Sequence, residues 1–277
     1  MNTSQAADSR SRRTAPARRM PRALLLALPL VLLLTLLLVF LLFPQLLSQH
    51  SSTAATLAKP GTEQQVVVLL HGLGRLPGSM SRMAKQLEQE GYAVCNIKYP
   101  SRQHTINDLT DNFVVPAIRA CVSETDSPPR FVTHSLGGII VRQLAQAHPD
   151  IPIGRVVMLS PPNQGSELVD KLGNWYLFKL INGPAGTQLG TATDSVPNSL
   201  GPVTFELGVI TGNGSTNPIY SKMIPGADDG KVAVTKARQD GMQDFLVLPY
   251  AHTFIAHKDE VIQQALHFLN NGEFRKP

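Results

Sequence analysis

Cysteine is scarce in this sequence, with two residues in 277, and tryptophan occurs once. There is no Cys/His spacing of the kind that builds a zinc site, and no glycine-rich loop of the kind that cradles phosphate. No metal or organic cofactor is therefore implied. No internal repeat is visible, which argues against solenoids and propellers. Acid is nearly missing from the first 22 residues, where Asp8 stands alone against Arg10, Arg12, Arg13, Arg18, Arg19 and Arg22. Setting those aside leaves 19 basic and 19 acidic residues, so the remainder of the chain is formally neutral despite the overall charge of +5. A nucleic-acid surface needs a basic patch on the folded domain itself, and here the excess sits in the tail. A nucleic-acid partner is not expected.

Charge then disappears altogether over residues 23–43, a leucine-dominated run. As a helix its 21 residues would span roughly 31 Å, close to the ~30 Å hydrocarbon core of a bilayer. Residues 23–47 read as a single-pass transmembrane signal anchor, 1–22 as a basic cytoplasmic tail, and 48–62 as a linker to a domain over 63–277. Arginines before the run and none just after it put the N-terminus in the cytoplasm and the domain outside it, on the cytoplasmic membrane. The alternative is a cleaved signal peptide, with small residues over 51–55 as its cleavage site and a secreted or periplasmic product. Such peptides have apolar regions of about 7–15 residues, shorter than this one. Both readings export the domain, and export bears on Cys95 and Cys121. An even pair in an oxidising compartment invites a disulfide. Cys95 falls in a predicted strand and Cys121 near the end of the following helix, which should run back past it. The alternative is two separately buried thiols.

From residue 64 onward, short apolar runs alternate with stretches of helical period. Strands are predicted over 66–70, 92–97, 130–133, 155–159, 205–211 and 245–249, and helices over 79–90, 106–120, 136–147 and 260–269. Alternation of this kind implies an α/β fold with a mostly parallel sheet of about six strands and helices on both faces. An insertion over 162–202, rich in Gly, Asn, Thr and Pro, separates the fourth strand from the fifth. A stretch this long inside a compact domain is more often functional than idle.

The central motif is Phe131-Val132-Thr133-His134-Ser135-Leu136-Gly137-Gly138. A strand stops at a serine and a helix begins at once, the pattern of a nucleophile elbow that lifts a hydroxyl above the sheet edge. Small residues are needed two before and two after the serine. Gly137 supplies one, while Thr133 stands where glycine is expected. The alternative role for Ser135 is a helix N-cap. A second motif, His71-Gly72-Leu73-Gly74, ends the first strand.

With these two motifs the chain resembles the α/β-hydrolase superfamily, and within it the lipase-like bacterial serine esterases. The resemblance spans roughly residues 66–269. It implies that the backbone N–H groups of Leu73 and Leu136 form an oxyanion hole, with His71 and Gly72 shaping the loop. It also implies an acid in the segment Asp229-Gly230-Lys231-Val232-Ala233-Val234, which matches an Asp-Gly-x-Val-x-Val pattern at Asp229. Asp228 is the neighbouring rival, and Asp240 enters the last strand from the far sheet edge. Among eight histidines, His252 follows the last strand by three residues and is the candidate base. His134 adjoins the nucleophile, but the elbow is expected to turn its side chain away.

Ser135, Asp229 and His252 would then hydrolyse a carboxylic ester, from a small molecule or a lipid, through an acyl-enzyme. Acyl transfer or thioester hydrolysis would use the same three residues, and a non-catalytic binding protein on a hydrolase scaffold is a further alternative. In the insertion, Leu168, Val169, Leu172, Trp175, Tyr176, Phe178, Leu180 and Ile181 would form an apolar helix face, either a lid over the substrate or a cap on the core.

Overall fold

The computed structural model describes residues 64–122 and 127–276. The expected tail, anchor and linker over 1–62 lie outside the described residues. Among the described residues no helix is long and apolar enough to cross a membrane.

Six strands, β1 Val66–Leu70, β2 Ala93–Ile97, β3 Arg130–His134, β4 Val156–Leu159, β5 Leu207–Gly212 and β6 Asp244–Leu248, form one sheet in the order β2-β1-β3-β4-β5-β6. Every pairing is parallel. All strand C-termini therefore lie along one edge. The order reverses between β1 and β3, and ligands of open parallel sheets bind beyond the strand ends at such a switch point.

All five residues of β1 are buried, because side chains alternate across a sheet covered on both faces. Val66, Val68 and Leu70 join a core built with α2 (Ile106–Leu109), α3 (Val115–Cys121) and α4 (Leu136–Ala147). Val67 and Leu69 join a second core with α1 (Ser81–Gln89) and α9 (Asp259–Asn271). The insertion contributes α5 (Glu167–Leu172), α6 (Tyr176–Thr187) and α7 (Val196–Ser199), and α8 (Pro218–Ser221) follows β5.

The expected helix over 106–120 is broken. Between α2 and α3 the chain makes a π turn over Thr110–Val114, where Val115 N–H reaches back to the Thr110 carbonyl. Pro116 explains the break, because it has no N–H to continue the ladder of four-residue bonds. The expected helix over 79–90 likewise begins as a 3-10 turn over Pro77–Met80 before α1.

Cys95 on β2 and Cys121 at the end of α3 form a disulfide, with Cα atoms 6.1 Å apart and a sequence separation of 26. Closing a loop of that length is worth about 3–4 kcal/mol on the chain-entropy account.

Candidate active site

The elbow is held by close backbone approach. Ser135 sits at φ 54°, a left-handed conformation uncommon for a residue with a side chain. Its N–H bonds the Leu159 carbonyl, so the β3–β4 ladder extends to the serine itself. α4 begins at the next residue and presses on β1. A Cβ on Gly137 would lie 2.6 Å from the Leu70 carbonyl oxygen, which is why no larger residue fits there. A Cβ on Gly72 would come within 2.8 Å of His134 Nδ1, so that glycine makes room for the ring of His134. Thr133, at the position where glycine was expected, is fully buried with its hydroxyl unpartnered among the described residues.

Three expected residues meet. His252 Nε2 lies 3.0 Å from Ser135 Oγ, and His252 Nδ1 lies 2.8 Å from Asp229 Oδ2. Because a carboxylate only accepts, Nδ1 carries the proton and Nε2 is left to accept from the serine hydroxyl. The other Asp229 oxygen accepts from the backbone N–H groups of Lys231 at 3.0 Å and Val232 at 2.9 Å. The backbones are tied as well, since His252 N–H donates to the Asp229 carbonyl at 2.9 Å. Burial would raise the Asp229 carboxyl, but the charge and hydrogen bond of His252, with the Val232 N–H, outweigh it and hold it below the usual carboxylate range. Asp228 faces elsewhere, accepting from the Ser221 hydroxyl at 2.7 Å and the Gly230 N–H at 2.6 Å.

The backbone N–H groups of Leu73 and Leu136 have no protein acceptor among the described residues. His71 is buried behind this loop. Its ring stacks on Tyr99 at 4.1 Å, and the Tyr99 hydroxyl donates to the His71 carbonyl. Burial pushes the His71 pKa down, with its hydrogen bond to the Gly72 carbonyl acting weakly the other way.

His134 corrects the sequence expectation. It is not turned away from the site: it borders the cavity that holds Ser135, and its ring lies 5.0 Å from that of His252. Its Nε2–H donates to the His252 carbonyl at 2.9 Å, and burial followed by the neighbouring His252 pushes its pKa down to about 3. Strand alternation carries the signal that would have found this. His134 shares a sheet face with Val132, the face that α9 and the loop before it cover.

A cavity of about 600 Å³ opens onto Ser135 and His252. Six of the eight apolar residues picked out in the insertion line it: Leu168, Val169, Leu172, Trp175, Phe178 and Ile181. Tyr176 and Leu180 do not, and lie exposed on the outer side. Arg142 on α4 is buried and binds the insertion at both ends, donating to the carbonyls of Asn163 at 2.8 Å, Pro197 at 2.8 Å and Gly201 at 2.9 Å. Among the described residues, no three His, Cys, Asp or Glu side chains gather as a metal-binding group.

No protein-family model matches the sequence, and no curated protein does. Solved structures do match. The lipase BlEst2 of Bacillus licheniformis in its propeptide form superposes with a TM-score of 0.61 at 18% identity, over 77% of this chain and 52% of that one. Its mature form gives 0.55 at 18% identity, over 76% and 91%. The phospholipase PlaB of Legionella pneumophila gives 0.54 at 19% identity, over 63% and 46%. This chain thus spans about half the length of the propeptide-form lipase and of the phospholipase. At such identities the likeness is one of fold: this chain has the fold of these bacterial lipases.

Proposed function

We propose that this chain is a serine hydrolase of carboxylic esters, with Ser135 as nucleophile, His252 as base and Asp229 as the acid that orients the base. The observation that carries this is the continuous hydrogen-bonded line from Asp229 Oδ2 through both His252 nitrogens to Ser135 Oγ, in 2.8 and 3.0 Å steps. Ser135 Oγ attacks the ester carbonyl carbon while its proton passes to His252 Nε2. The negative oxygen that results is held by the free N–H groups of Leu73 and Leu136, donors of the kind whose single loss typically costs ~10²–10³ in rate. The carbon–oxygen bond to the alcohol breaks, and the alcohol leaves with the proton from His252. Water then attacks the acyl-enzyme, gives a proton to His252, and releases the carboxylic acid and a restored Ser135.

The same reading gives the insertion the role of acyl-binding wall and residues 23–47 that of a membrane anchor, with the catalytic domain outside the cytoplasm. The bonded cysteines support export, since disulfides persist where the environment oxidises. Protease added to intact cells should cut the domain while the tail stays protected.

The central test is hydrolysis of p-nitrophenyl esters from acetyl to palmitoyl by the chain and its Ser135→Ala variant. Turnover that vanishes with the serine is expected. Turnover that survives the substitution would overturn the assignment.

A further inference from the structure

The cavity beside Ser135 has an uneven charge pattern. Its wall is made by the apolar side chains of the insertion together with Ile219 and Met223, and no Asp or Glu lines it. Two cationic side chains do, Arg75 and Lys231. They arrive from opposite sides of the site. Arg75 follows the Leu73 loop by two residues, and Lys231 follows Asp229 by two. Neither forms an ion pair with an acidic side chain of the described residues, whereas Arg82, Arg119 and Arg155 all do. The two lie near enough to feel each other. Desolvation first, and then the Arg75 charge, push the Lys231 pKa down, and the Asp229 carboxylate, itself committed to His252 and two backbone N–H groups, acts against them without reversing the shift.

Lys231 is exposed and Arg75 half-buried at the cavity mouth, so two like charges facing one opening leave a positive potential there that an anionic group would meet favourably. A methylene chain belongs against the apolar wall and gains nothing beside two cations. The polar end of a bound ester, on the alcohol side of the scissile bond, is the part that suits them. Arginine and lysine are also the side chains that bind phosphate and carboxylate best.

Resting on the hydrolase reading above, we propose that the substrate is an anionic amphiphile, an acyl ester whose alcohol portion carries a phosphate or carboxylate held between Arg75 and Lys231. The two side chains are specificity-determining residues. Attraction of this kind weakens with salt, because the cavity mouth opens to solvent.

The test compares the full chain on three substrates with one acyl chain: dodecanoyl glycerol, dodecanoyl glycerol 3-phosphate and the dodecanoyl ester of glycolate. The expected result is a kcat/KM at least about tenfold higher for one or both anionic esters than for the neutral one, as charge-assisted hydrogen bonds would give. Which anionic ester is preferred tells phosphate from carboxylate. In Arg75→Gln and Lys231→Gln the anionic-to-neutral ratio should fall towards one, Arg75→Lys should restore much of it, and added salt should lower it in the wild type. Equal kcat/KM for all three esters, with turnover still dependent on Ser135, overturns this proposal and leaves the hydrolase reading intact. A preference for anionic esters that both Gln variants keep also overturns it. Failure of all three esters, together with failure of a fluorophosphonate to label Ser135, overturns the hydrolase reading and this proposal with it.

Discussion

The two sides of the cavity are built on different principles. On the sheet side, Asp229, His252 and Ser135 are buried, and Asp229 and His252 use both their polar side-chain atoms in hydrogen bonds. On the insertion side, the residues are mostly apolar and many face solvent: Trp175 is 64% exposed, Tyr176 80%, Leu177 61% and Leu180 65%. On the proposed reading, geometry is fixed where bonds would be made and broken, since small misplacements there are expensive in rate. Where only apolar surface is offered, side chains need to fill space and exclude water. The difference predicts that a small polar change on the sheet side acts mainly on rate, and that a large change on the outer insertion side does little.

After Ser135→Ala itself, the most severe effect is expected from Asp229→Asn. The amide keeps the size of the carboxylate but offers His252 Nδ1 an NH₂ as readily as a carbonyl, so the tautomer that leaves Nε2 free is no longer enforced. A fall in kcat of about 10³–10⁴-fold is expected by analogy with serine-protease triads. Far-ultraviolet circular dichroism should show an unchanged fold. A loss below tenfold would mean that Asp229 only braces its loop through Lys231 and Val232.

The joint between the two sides comes next. Arg142 is buried, stays charged at neutral pH although burial lowers its pKa to about 10, and donates through its two terminal nitrogens to three carbonyls, with Nε unpartnered among the described residues. Arg142→Leu leaves those carbonyls without their donor, and hydrogen bonds to charged groups are worth roughly 1.5–3 kcal/mol each. With some relaxation, about 3 kcal/mol of stability should be lost in urea unfolding. Unfolding in two separated transitions, the insertion first, would sharpen the contrast further.

The same contrast decides what the sequence discloses. Ser135 and His252 stand one and four positions beyond the strands β3 and β6, so strand periodicity and local turn motifs locate them without knowledge of packing, whereas Asp229 lies 17 positions past β5, beyond a loop that periodicity does not measure. Asp229 is told from Asp228 by the resemblance to lipase-like esterases, which implies the acid at the head of an Asp-Gly-x-Val-x-Val segment, and not by periodicity. For His134, strand alternation discloses the sheet face it shares with Val132, while the room for its ring beside the site depends on Gly72, a contact between residues far apart in sequence. The insertion was legible only as apolar and glycine-rich. Its helices are short and carry Gly183 and Pro184 inside α6, so periodicity does not say which side faces the cavity. Tyr176 and Leu180 fell on the wrong side for that reason. The π turn before α3 was hidden because Pro116 marks a break without specifying its form.

His134 offers a test by pH on the sheet side. Its folded pKa lies near 3, below the unfolded value of 6.5. The unfolded chain therefore binds more protons between those limits, and stability is complete above pH 6.5 and falls as pH drops towards 3. His71, also pushed down by burial, adds a loss of the same sign. The slope from His134 is at most about 1.4 kcal/mol per pH unit. His134→Gln should remove this share of the slope between pH 6.5 and 5 in urea midpoints. An unchanged slope would place the buried proton elsewhere.

The smallest effect is expected on the outer side of the insertion. Leu180 is 65% exposed and does not border the cavity, although its neighbours Phe178 and Ile181 do. Leu180→Ser should change stability by no more than about 0.5 kcal/mol, as surface substitutions usually do. Turnover of soluble short-chain esters should also be unchanged. Phe178→Ser, two positions away and on the cavity wall, removes apolar surface that an acyl chain would touch, so KM for long-chain esters should rise while that for acetyl esters holds. If both substitutions raise KM alike, the outer and inner sides of α6 are not distinct during turnover. The helix would then turn or shift when substrate enters, and the insertion would be a moving part instead of a wall.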